Sequence, residues 1–555
     1  MTLAFDPVGL WPAALFAVAP LAWLGISGRL SRVRWWKVLA VVTAGILPFH
    51  LFQQAWIIDV SPIGYPLLAA YVAVFSAAFV LLLATIASRV PRWWLPLAAG
   101  VLWSAIEVFR GDVLFKGYGW FNVAHPVVDW PWAAAPAAVT GQYGVTLLVA
   151  TFGACVAAAL HHPRQGARWT AILAGVLGVW AGLSAIGAAQ PTANGPTLRV
   201  GVVQTNLPQS NKQAPTFEST LNLWNSLRTL TLEAADAAPP PDVIVWPETM
   251  KPGLALDAES VAAERRAKIA IFPSKDAADR TPLLTASFAG ATVDLQSATG
   301  MPLLVGEDAY DGLRFETKPS GSISVDYRHR YNSAFLVRDG AVQPARYDKV
   351  RLTPFGEEMP YISAWPWLER QLLDLAARGM KLDLSAGSSL TVFNVPMASG
   401  GEARLVTPIC FEATEWDLCR RMIFDGSTRR ADVLVNMTND GWFGWWRGGR
   451  LQHLQIARWR CIELATPMIR AANTGISCSI DARGKVTRIA AGPQSTDWNQ
   501  PGVLIADVTP GHGATLMARG GWITGWAVLG AGLVMLMVPL IPRRSADRTT
   551  LTTGA

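Results

Sequence analysis

The 555-residue sequence is poor in charged residues, in cysteine and in histidine. Charged residues make up 16% of the chain and hydrophobic residues 51%, a balance that lies outside the average for soluble proteins. The five cysteines are an odd number without a Cys-X-X-Cys pair, which argues against a disulfide scaffold and a zinc ribbon. The seven histidines are scattered and form no His-Glu-X-X-His motif, so we predict no metal and no cofactor.

The chain also lacks a run of basic residues with interleaved aromatic side chains, although its formal net charge is +7. Such a run is typical of nucleic-acid-binding proteins, so we expect no nucleic acid as a partner. Much of the positive charge lies beside apolar segments instead, where membrane topology explains it. The 25 tryptophans agree with this interpretation, because indole side chains favour the membrane interface.

Seven apolar segments are long enough to cross a bilayer as helices, which takes about 20 residues. They are Leu10–Ser27, Trp36–Ile57, Leu67–Ala87, Trp93–Phe109, Val139–Leu160, Trp169–Ala188 and Trp522–Ile541. The sequence therefore predicts a multi-pass α-helical membrane domain over residues 1–190 with about six spans. A C-terminal transmembrane helix at 521–541 and a cytoplasmic tail at 542–555 are expected to follow the polar middle of the chain.

Lysine and arginine in the short loops predict the orientation of these helices, because basic residues are retained on the cytoplasmic side. The loops after the first, third, fifth and last segments carry the charge. Their basic residues are Arg29, Arg32, Arg34, Lys37, Arg89, Arg92, Arg164, Arg168, Arg543, Arg544 and Arg548. An N-terminus and a polar middle region that both lie outside the cytoplasm satisfy this pattern.

Between about Leu198 and Val508 the sequence changes to short β-branched runs that alternate with amphipathic stretches, which predicts one α/β domain. The predicted strands are Arg199–Gln204, Val243–Trp246, Leu303–Gly306, Ala334–Arg338, Arg404–Cys410, Val433–Met437, Ile476–Asp481 and Val503–Val508. The predicted helices include Phe217–Asp236, Ala413–Phe424 and Leu451–Leu464. We expect the Ala/Asp-rich region Leu256–Thr299 to be an insertion or a lid.

Three segments stand out because each places a reactive side chain after a strand, at a point where a loop presents it to substrate. Glu248 follows Trp246-Pro247, where proline ends the strand and an apolar neighbourhood makes the carboxylate a usable proton acceptor. Lys349 lies in a polar loop and can stabilise an oxyanion. Cys410 lies at a strand-to-helix turn, where the positive helix end favours a thiolate. Taken singly, each also fits an ordinary role as an exposed Glu, a solvated Lys or a buried, inert Cys.

Together these segments resemble the nitrilase superfamily. The resemblance rests on Trp246-Pro247-Glu248, on Lys349 with Pro354-Phe355-Gly356-Glu357, and on Cys410-Phe411-Glu412. Later segments are similar to the same family's signature, namely Asn439-Asp440-Gly441-Trp442-Phe443-Gly444, Gln452-His453, Ala457-Arg458 and Asn473-Thr474-Gly475. With its hydrophobic spans, the chain resembles the bacterial apolipoprotein N-acyltransferases over nearly its whole length.

This resemblance implies a nitrilase-like (CN hydrolase) αββα sandwich over residues 198–508, held on the periplasmic side of the bacterial inner membrane. It implies that Cys410 is the nucleophile, Glu248 the general base and Lys349 the oxyanion stabiliser. The expected reaction transfers an acyl chain from a membrane phospholipid, through a Cys thioester, to the N-terminal diacylglyceryl-cysteine amine of an apolipoprotein. Phospholipid and apolipoprotein are therefore the expected partners.

Other residues receive supporting roles from the same resemblance. Glu357 and Glu412 correspond to carboxylates that hold the lysine and shape the site, and either could instead pair with a local Arg. The backbone N–H of Phe411 is the expected second oxyanion donor. Trp442 and Phe443 are expected to contact the lipid substrate or to lie at the membrane interface, with an ordinary core role as the alternative for Trp442.

Two residues at the outer end of the fourth span carry charge that a membrane helix rarely contains. Glu107 and Arg110 are expected either to pair near the lipid entrance or to anchor the helix at the interface. Compared with the family, one helix is expected to be absent from the N-terminal end of the chain. The separation of Glu248 and Lys349 is long for the family, which again marks Leu256–Thr299 as an insertion.

Two alternatives remain open from the sequence. The first is a membrane-tethered amidase of the same superfamily that uses water instead of an amine, although a soluble substrate needs no lipid-embedded platform. The second is a non-catalytic membrane protein, such as a transporter or receptor, with a ligand-binding nitrilase-like domain. The few ionisable residues in the spans argue against a transport path. A thiol protease is weaker still, since no histidine is placed by sequence to pair with Cys410.

Overall fold

The computed structural model describes most of the chain. The described residues are 1–191, 195–209, 215–272, 281–319, 323–365, 367, 369–371, 382–490 and 500–537. The predicted tail at 542–555 lies outside the described residues, as does the end of the predicted C-terminal helix beyond Met537.

Apolar helices dominate the N-terminal region, and amphipathic helices accompany the later α/β region. In chain order the main helices are α1 (Trp11–Ile26), α2 (Trp35–Gln53), α3 (Gly64–Ala87), α4 (Leu95–Val108), α5 (Ala137–His161), α6 (Gly166–Ala188), α7 (Phe217–Ala235), α8 (Ala258–Ala267), α9 (Ser287–Thr299), α10 (Trp416–Ile423), α11 (Arg447–Leu464) and α12 (Ile523–Met537). Single helical turns at Ile57–Val60 and Pro131–Ala134 lie between the apolar helices.

A helix occupies each of the seven segments that the sequence marks as membrane spans. Among the described residues, four are long and apolar enough to cross a membrane: α2, α3, α5 and the helix that contains α6. The others are shorter, with 14 residues in α4 and 15 in the described part of α12. The predicted multi-pass α-helical membrane domain is confirmed by this arrangement.

Small residues allow the apolar helices to approach each other closely. A Cβ atom at Gly100 in α4 would lie 2.0 Å from the Thr151 hydroxyl oxygen in α5, and one at Gly153 in α5 would lie 3.0 Å from the Leu15 carbonyl oxygen in α1. Close approach through small residues is typical of membrane helices, which have no hydrophobic driving force between them. Helix α5 is thus the centre of the bundle.

The α/β region is built on two six-stranded sheets. The strands are β1 (Leu198–Gln204), β2 (Val243–Val245), β3 (Ala270–Ile271), β4 (Leu283–Leu284), β5 (Leu303–Asp311), β6 (Arg314–Thr317), β7 (Ile323–Asp326), β8 (His329–Arg338), β9 (Ala341–Asp348), β10 (Phe393–Pro396), β11 (Glu402–Val406), β12 (Phe424–Asp425), β13 (Thr428–Arg429), β14 (Val433–Thr438), β15 (Met468–Ala472), β16 (Cys478–Ile480), β17 (Val486–Ile489) and β18 (Gly502–Val508). The first sheet has the order β18-β1-β2-β5-β8-β9 and the second the order β10-β11-β14-β15-β16-β17.

The two sheets pack face to face through apolar side chains. Val202 and Val245 of the first sheet share one buried core with Leu405 and Val433 of the second. The central strands run parallel, β1 with β2 and β5, and β11 with β14 and β15, so helices must cover their outer faces. Helices α7 and α9 cover the first sheet, and α10 and α11 cover the second. The predicted αββα sandwich is therefore confirmed.

The described parts of the region predicted to be an insertion or a lid, 256–272 and 281–299, pack on the sandwich. Its helices α8 and α9 pack on the outer face of the first sheet, where Val261, Ala289 and Leu295 are buried in the core. Because β2 and β5 are parallel, the chain between them must cross over the sheet, usually as a helix. The prediction of a lid was wrong because the Ala/Asp-rich composition hid this crossover, and an insertion relative to the family stays a prediction.

Helix α11 joins the sandwich to the membrane domain. Leu454 and Ala457 on one side belong to the sandwich core, and Ile456 and Trp459 on the other belong to the core of the membrane domain. Its polar residues, such as Arg450, Gln452 and Arg460, are buried as well, so α11 contacts both regions and joins them into one continuous structure.

Polar side chains reinforce the contact between α11 and α5. Arg460 pairs with Glu463 at 2.9 Å within α11, and both reach Gln142 of α5. Gln142 accepts from the Arg460 guanidinium through its side chain, and its backbone N–H donates to the Glu463 carboxylate. Because α11 follows the predicted signature segment at Asn439, this junction holds one wall of the site described below.

The sandwich core generates a prediction for stability. Leu405 in β11 is fully buried between the sheets, so Leu405→Ala should lower the free energy of unfolding by about 2 to 5 kcal/mol. Ile489→Ala on the exposed strand β17 is the matched control and should change it by less than about 1 kcal/mol. Thermal unfolding of the detergent-solubilised protein measures both changes, and equal losses in the two variants would contradict this packing.

Candidate active site

Glu248 lies just beyond β2, at the end where the parallel strands of the first sheet finish. Its carboxylate is 6% exposed and accepts a hydrogen bond of 2.6 Å from the Asn332 side-chain amide. The backbone N–H of Asn439, from the second sheet, donates to its other oxygen at 2.7 Å. One lone pair of each oxygen is thereby used for orientation, and the carboxylate is held between the two sheets.

Lys349 follows β9, whose register is set by a tight hairpin with β8. The hairpin turns at Asp339-Gly340, both with positive φ, which is the turn that matches the twist of two paired strands. Register then places Lys349 opposite Asn332, whose carbonyl oxygen accepts from the Lys349 N–H at 2.8 Å. Asn332 therefore contacts both Glu248 and Lys349.

The Lys349 ammonium is fully buried and lies among carboxylates. Its Nζ is 2.7 Å from Glu357 Oε2 and 4.0 Å from Glu248 Oε1. Burial disfavours the charged form, but Glu357 and Glu248 outweigh this effect and hold the pKa of Lys349 above its usual range. The lysine is therefore a fixed positive charge at neutral pH.

Glu357 is the principal partner of this lysine. One oxygen accepts from Lys349 Nζ at 2.8 Å, and the other accepts from the Thr353 backbone N–H at 2.7 Å. Burial by itself would raise the pKa of Glu357, but Lys349 and the hydrogen bonds with Thr353 outweigh it and lower the pKa. The geometry is that of a carboxylate that holds the lysine, which is the arrangement expected from the sequence.

Cys410 lies after β11 at the start of a short 3-10 turn, Cys410–Thr414, with φ of +51°. An L-residue rarely adopts this left-handed conformation, and such strain is concentrated at functional sites. Burial and the charge of Glu248 raise the pKa of the Cys410 thiol to about 12, although Lys349 and a hydrogen bond with Thr438 act in the opposite direction. The Cys410 thiol therefore lies close enough to Glu248 and Lys349 for their charges to shift its pKa.

The expectation that a helix N-terminus favours a thiolate at Cys410 is wrong. Helix α10 begins only at Trp416, and the intervening turn is 3-10 helical and too short to act as an extended dipole. With a raised pKa, the resting sulfur is a protonated thiol that requires a base.

Glu412 ties the loop of Lys349 to the loop of Cys410. Its fully buried carboxylate accepts from the Tyr347 hydroxyl at 2.8 Å, from the Val350 and Arg351 N–H groups and from the Ile409 N–H. Burial raises its pKa to about 7, against the opposing influence of Lys349 and these donors. The loop that carries the lysine and the loop that carries the cysteine therefore share one anchor.

Some residues of the site were not identified from the sequence. Asn332 holds Glu248, Thr438 contacts the thiol, and Tyr347 holds Glu412. The sequence feature that could have identified such residues is a polar or charged side chain within an otherwise apolar strand. Polar groups in these positions are buried only when they are paired, so each one indicates a specific partner. Asn436 in β14 and Arg470 in β15 carry the same signal and are considered below.

One side of the site faces the membrane domain. Phe115 contacts Phe355 and Tyr361 of the lysine loop at ring-centroid distances of 5.6 and 5.7 Å. Lys116 pairs with Glu358 at 2.5 Å, next to the carboxylate that holds Lys349. Phe355 and Tyr361 are 50% and 56% exposed, so apolar surface lies at the rim of the site.

The expected substrate-contact residues lie in different surroundings. Phe443 is buried against Trp56 and Trp120 of the membrane domain, at ring-centroid distances of 4.8 and 5.8 Å. Trp442 is half-buried beside it. Phe443 therefore forms part of the domain junction, and lipid contact by Trp442 and Phe443 stays a prediction.

Glu107 and Arg110 do not form the ion pair considered from the sequence. Both are buried, and no ion pair joins them in the part of the chain that the structure describes. Glu107 accepts from the Val123 N–H at 2.8 Å, and Arg110 donates to the Trp120 carbonyl oxygen at 2.6 Å and to Asn122 at 2.9 Å. Glu107 also accepts from Trp103 Nε1 at 2.7 Å and from the Thr146 hydroxyl at 2.9 Å, so both charges are satisfied by hydrogen bonds within the membrane domain.

No group of three or more His, Cys, Asp or Glu side chains among the described residues could hold a metal ion. The site itself contains the Cys410 thiol, carboxylates and the Lys349 ammonium. These groups suit a covalent acyl-enzyme route, in which a base activates the nucleophile and a cation stabilises the oxyanion.

Comparison with known proteins identifies the family. Residues 199–515, more than half of the chain, match the family model described as carbon-nitrogen hydrolase. The chain therefore belongs to the carbon–nitrogen hydrolase family. Residues 1–155 match the model of the apolipoprotein N-acyltransferase N-terminal domain.

Individual relatives agree with both matches. The chain is 29% identical to an apolipoprotein N-acyltransferase from Rhizobium meliloti (strain 1021), over 93% of this chain and 88% of that protein. It is 29% identical to another from Azotobacter vinelandii, over 98% of this chain and 93% of that protein. The resemblance to the apolipoprotein N-acyltransferases that the motifs indicate is therefore confirmed. A solved amidase from Nesterenkonia sp. is 13% identical, covers 60% of this chain and 97% of its own, and gives a TM-score of 0.36.

The state of the thiol can be measured by alkylation. Iodoacetamide reacts with the thiolate, and the raised pKa of Cys410 leaves little thiolate at neutral pH. We expect slow alkylation at pH 7 that accelerates with increasing pH and reaches no plateau below about pH 10. Mass spectrometry of the labelled site follows the reaction, with Cys410→Ser as the control for labelling elsewhere. A plateau near neutral pH would contradict a protonated resting thiol.

Proposed function

We propose that this protein transfers an acyl chain from a membrane phospholipid to the N-terminal amine of a diacylglyceryl-modified cysteine in an apolipoprotein. The observation that carries the proposal is a thiol that shares its environment with the Glu248 carboxylate and the fully buried Lys349 ammonium. The pairing of a carbon–nitrogen hydrolase region with an apolipoprotein N-acyltransferase N-terminal domain supports lipoprotein N-acylation as the activity. The curated relatives that carry this name over most of their length support it as well.

The first half of the reaction forms the acyl-enzyme. Glu248 removes the proton from Cys410, and the sulfur attacks the ester carbonyl carbon of the phospholipid. Lys349 and the backbone N–H of Phe411 stabilise the resulting oxyanion, and each such donor contributes roughly 3 to 4 kcal/mol. Collapse of the intermediate breaks the ester C–O bond. The lysophospholipid leaves with the proton that Glu248 returns, and the acyl chain stays on sulfur as a thioester.

The second half transfers the acyl chain to the lipoprotein. The α-amine of the diacylglyceryl-cysteine attacks the thioester carbonyl, and Glu248 accepts the proton that the nitrogen loses. The same oxyanion donors stabilise the second tetrahedral intermediate. Its collapse forms an amide, breaks the C–S bond and returns the proton to sulfur, so no cofactor or additional reactant is required.

The supporting carboxylates keep these groups in place. Glu357 holds the ammonium of Lys349, so that Glu248, at 4.0 Å, need not serve as its only counter-charge and can accept protons. Glu412 holds the backbone on both sides and fixes the distance between the lysine and cysteine loops. These are positioning roles, because both carboxylates are engaged by hydrogen bonds from Lys349 or from backbone N–H groups.

The membrane domain provides the surroundings that an amine acceptor needs. An amine outcompetes water at a thioester only where water is excluded. The contacts of Phe115 with Phe355 and Tyr361 put apolar side chains at the rim of the site, where a lipid chain can remain out of water. This surface also supports phospholipid as the acyl donor.

The chain is a membrane protein, and we assign it to the bacterial inner membrane with the catalytic region on the periplasmic side. The assignment rests on the basic residues in alternate short loops, such as Arg89, Arg92, Arg164 and Arg168. A membrane-impermeant thiol reagent tests it in sealed spheroplasts. Labelling of Cys410 only after the membrane is permeabilised would contradict a periplasmic site.

The acyl-enzyme is the intermediate that distinguishes this function. Wild-type protein incubated with phospholipid vesicles should gain the mass of one acyl chain at Cys410, and Cys410→Ala should gain none. Glu248→Gln should slow the gain by about 100-fold or more, because proton removal is lost. Intact-protein mass spectrometry measures each rate. Cys155→Ala in helix α5 is a matched control that should react as the wild type does.

Addition of a diacylglyceryl-cysteine peptide completes the test. The acyl mass should leave the enzyme and appear on the peptide amine. Release of free fatty acid without acylation of the peptide would identify a hydrolase instead. A wild-type protein that gains no acyl chain would favour a binding protein and contradict the proposal.

A further inference from the structure

The backbone carbonyl oxygen of Cys410 is held by two side chains that the proposed mechanism does not use. It accepts a hydrogen bond from His453 Nε2 at 3.2 Å and from Asn436 Nδ2 at 3.3 Å. Asn436 also donates to the Pro408 carbonyl oxygen at 2.8 Å, on the other side of the turn. The nucleophile therefore lies on a peptide unit whose oxygen is fixed from two directions.

This anchoring acts on the oxyanion donor as well as on the nucleophile. The carbonyl of Cys410 and the N–H of Phe411 belong to one peptide group, which is planar and holds them in opposite directions. Fixing the oxygen therefore fixes the direction of the N–H. The positive φ of Cys410, +51°, makes such support necessary, because a left-handed residue persists only where its surroundings hold it.

Arg470 in β15 aligns both anchoring side chains. It is fully buried, and it donates to Asn436 Oδ1 at 2.5 Å and lies 3.0 Å from His453 Nδ1. Its charge is balanced by Asp440 at 2.8 Å, and Asp440 also lies 3.2 Å from His453 Nδ1. If Asn436 and His453 lost their acceptor atoms, N–H donors of Arg470 would be left without partners. The side chains of Arg470, Asn436 and His453 therefore form one connected unit.

The hydrogen-bond partners determine the tautomer of His453. The carbonyl oxygen of Cys410 can only accept, so Nε2 carries the proton. Nδ1 lies 3.0 Å from an Arg470 nitrogen, which can only donate, and 3.2 Å from Asp440 Oδ1, which can only accept. With the single proton of a neutral ring on Nε2, Nδ1 accepts from Arg470. Burial and the charge of Arg470 also lower the pKa of His453, which agrees with a neutral ring. The imidazole is therefore a directed donor and not an acid–base group.

The membrane domain covers the other face of this imidazole. The Trp120 ring lies 6.0 Å from the His453 ring with an interplanar angle of 29°. Trp120 is held by Arg110, which donates to its carbonyl oxygen at 2.6 Å. The buried charge of Arg110, which has no role in the proposed chemistry, thus supports the loop that packs on His453.

We propose that His453 and Asn436, aligned by Arg470, are positioning residues that hold the Cys410 carbonyl and thereby aim the Phe411 N–H at the oxyanion. The inference rests on the proposed function, because it concerns the formation of the acyl-enzyme. Neither side chain touches substrate or the reacting sulfur. Their contribution is to the rate of acylation and not to the binding of phospholipid.

Two substitutions of His453 separate the donor from the space that the ring fills. His453→Gln keeps an N–H donor near the position of Nε2, whereas His453→Met fills similar volume without a donor. Single-turnover acylation of the full-length protein by phospholipid vesicles is measured by intact mass. We expect His453→Met to slow acylation by about fivefold to tenfold, the equivalent of one hydrogen bond, with an unchanged KM. His453→Gln should recover to within about threefold of the wild-type rate.

A purely structural role would affect both variants alike. Equal rates in the Gln and Met variants, whether fast or slow, would overturn the inference. If His453→Met does not fold, Asn436→Asp replaces it, since this change keeps the acceptor for Arg470 and removes the donor to Cys410. Wild-type acylation rates in Asn436→Asp would also overturn it. A wild-type protein that gains no acyl chain would instead contradict the proposed function, and the inference with it.

Discussion

The ammonium of Lys349 is completely buried, and a buried charge is tolerated only where opposite charges compensate it. Glu357 provides most of this compensation from the same loop, and Glu248 provides the rest from the end of β2. The need for counter-charges around Lys349 brings together two segments that are distant in the sequence, the lysine loop and the end of β2. Glu412 links this group to the cysteine loop, because its carboxylate accepts from backbone N–H groups of both the lysine loop and the cysteine loop. The position of Cys410, the proposed nucleophile, therefore depends on neutralising one cation.

The same site also depends on the membrane domain. Lys116 pairs with Glu358, immediately beside the glutamate that holds Lys349, and Phe115 packs on the exposed aromatic residues of the lysine loop. On the opposite side, Trp120 packs on His453, and α11 is buried between the sandwich and the apolar helices. The geometry of the site and its attachment to the membrane domain are thus properties of one continuous structure, which supports the proposed use of a lipid as acyl donor.

The sequence was sufficient for features that depend on local patterns. Apolar strands that end beside Glu248 and Cys410 were predicted from short runs and turn residues, as were amphipathic helices of the sandwich. Strand β9, which precedes Lys349, was not among the predicted strands. Contacts set by strand register were not predictable. Asn332, Asn436 and Arg470 gain their roles only because β8, β14 and β15 place them beside residues far along the chain. The crossover Leu256–Thr299 and the 3-10 turn at Cys410 were misinterpreted for the same reason, since tertiary pairing determined them.

The claim that one compensated ammonium organises the site is tested most directly by a double-mutant cycle. Lys349→Met should lower the free energy of unfolding by about 3 to 5 kcal/mol, because Glu357 is left buried without its partner. The double variant Lys349→Met with Glu357→Gln should recover most of this loss, yet it should still form no acyl-enzyme. A double variant that is no more stable than Lys349→Met alone, or a Lys349→Met protein that acylates normally, would contradict the account.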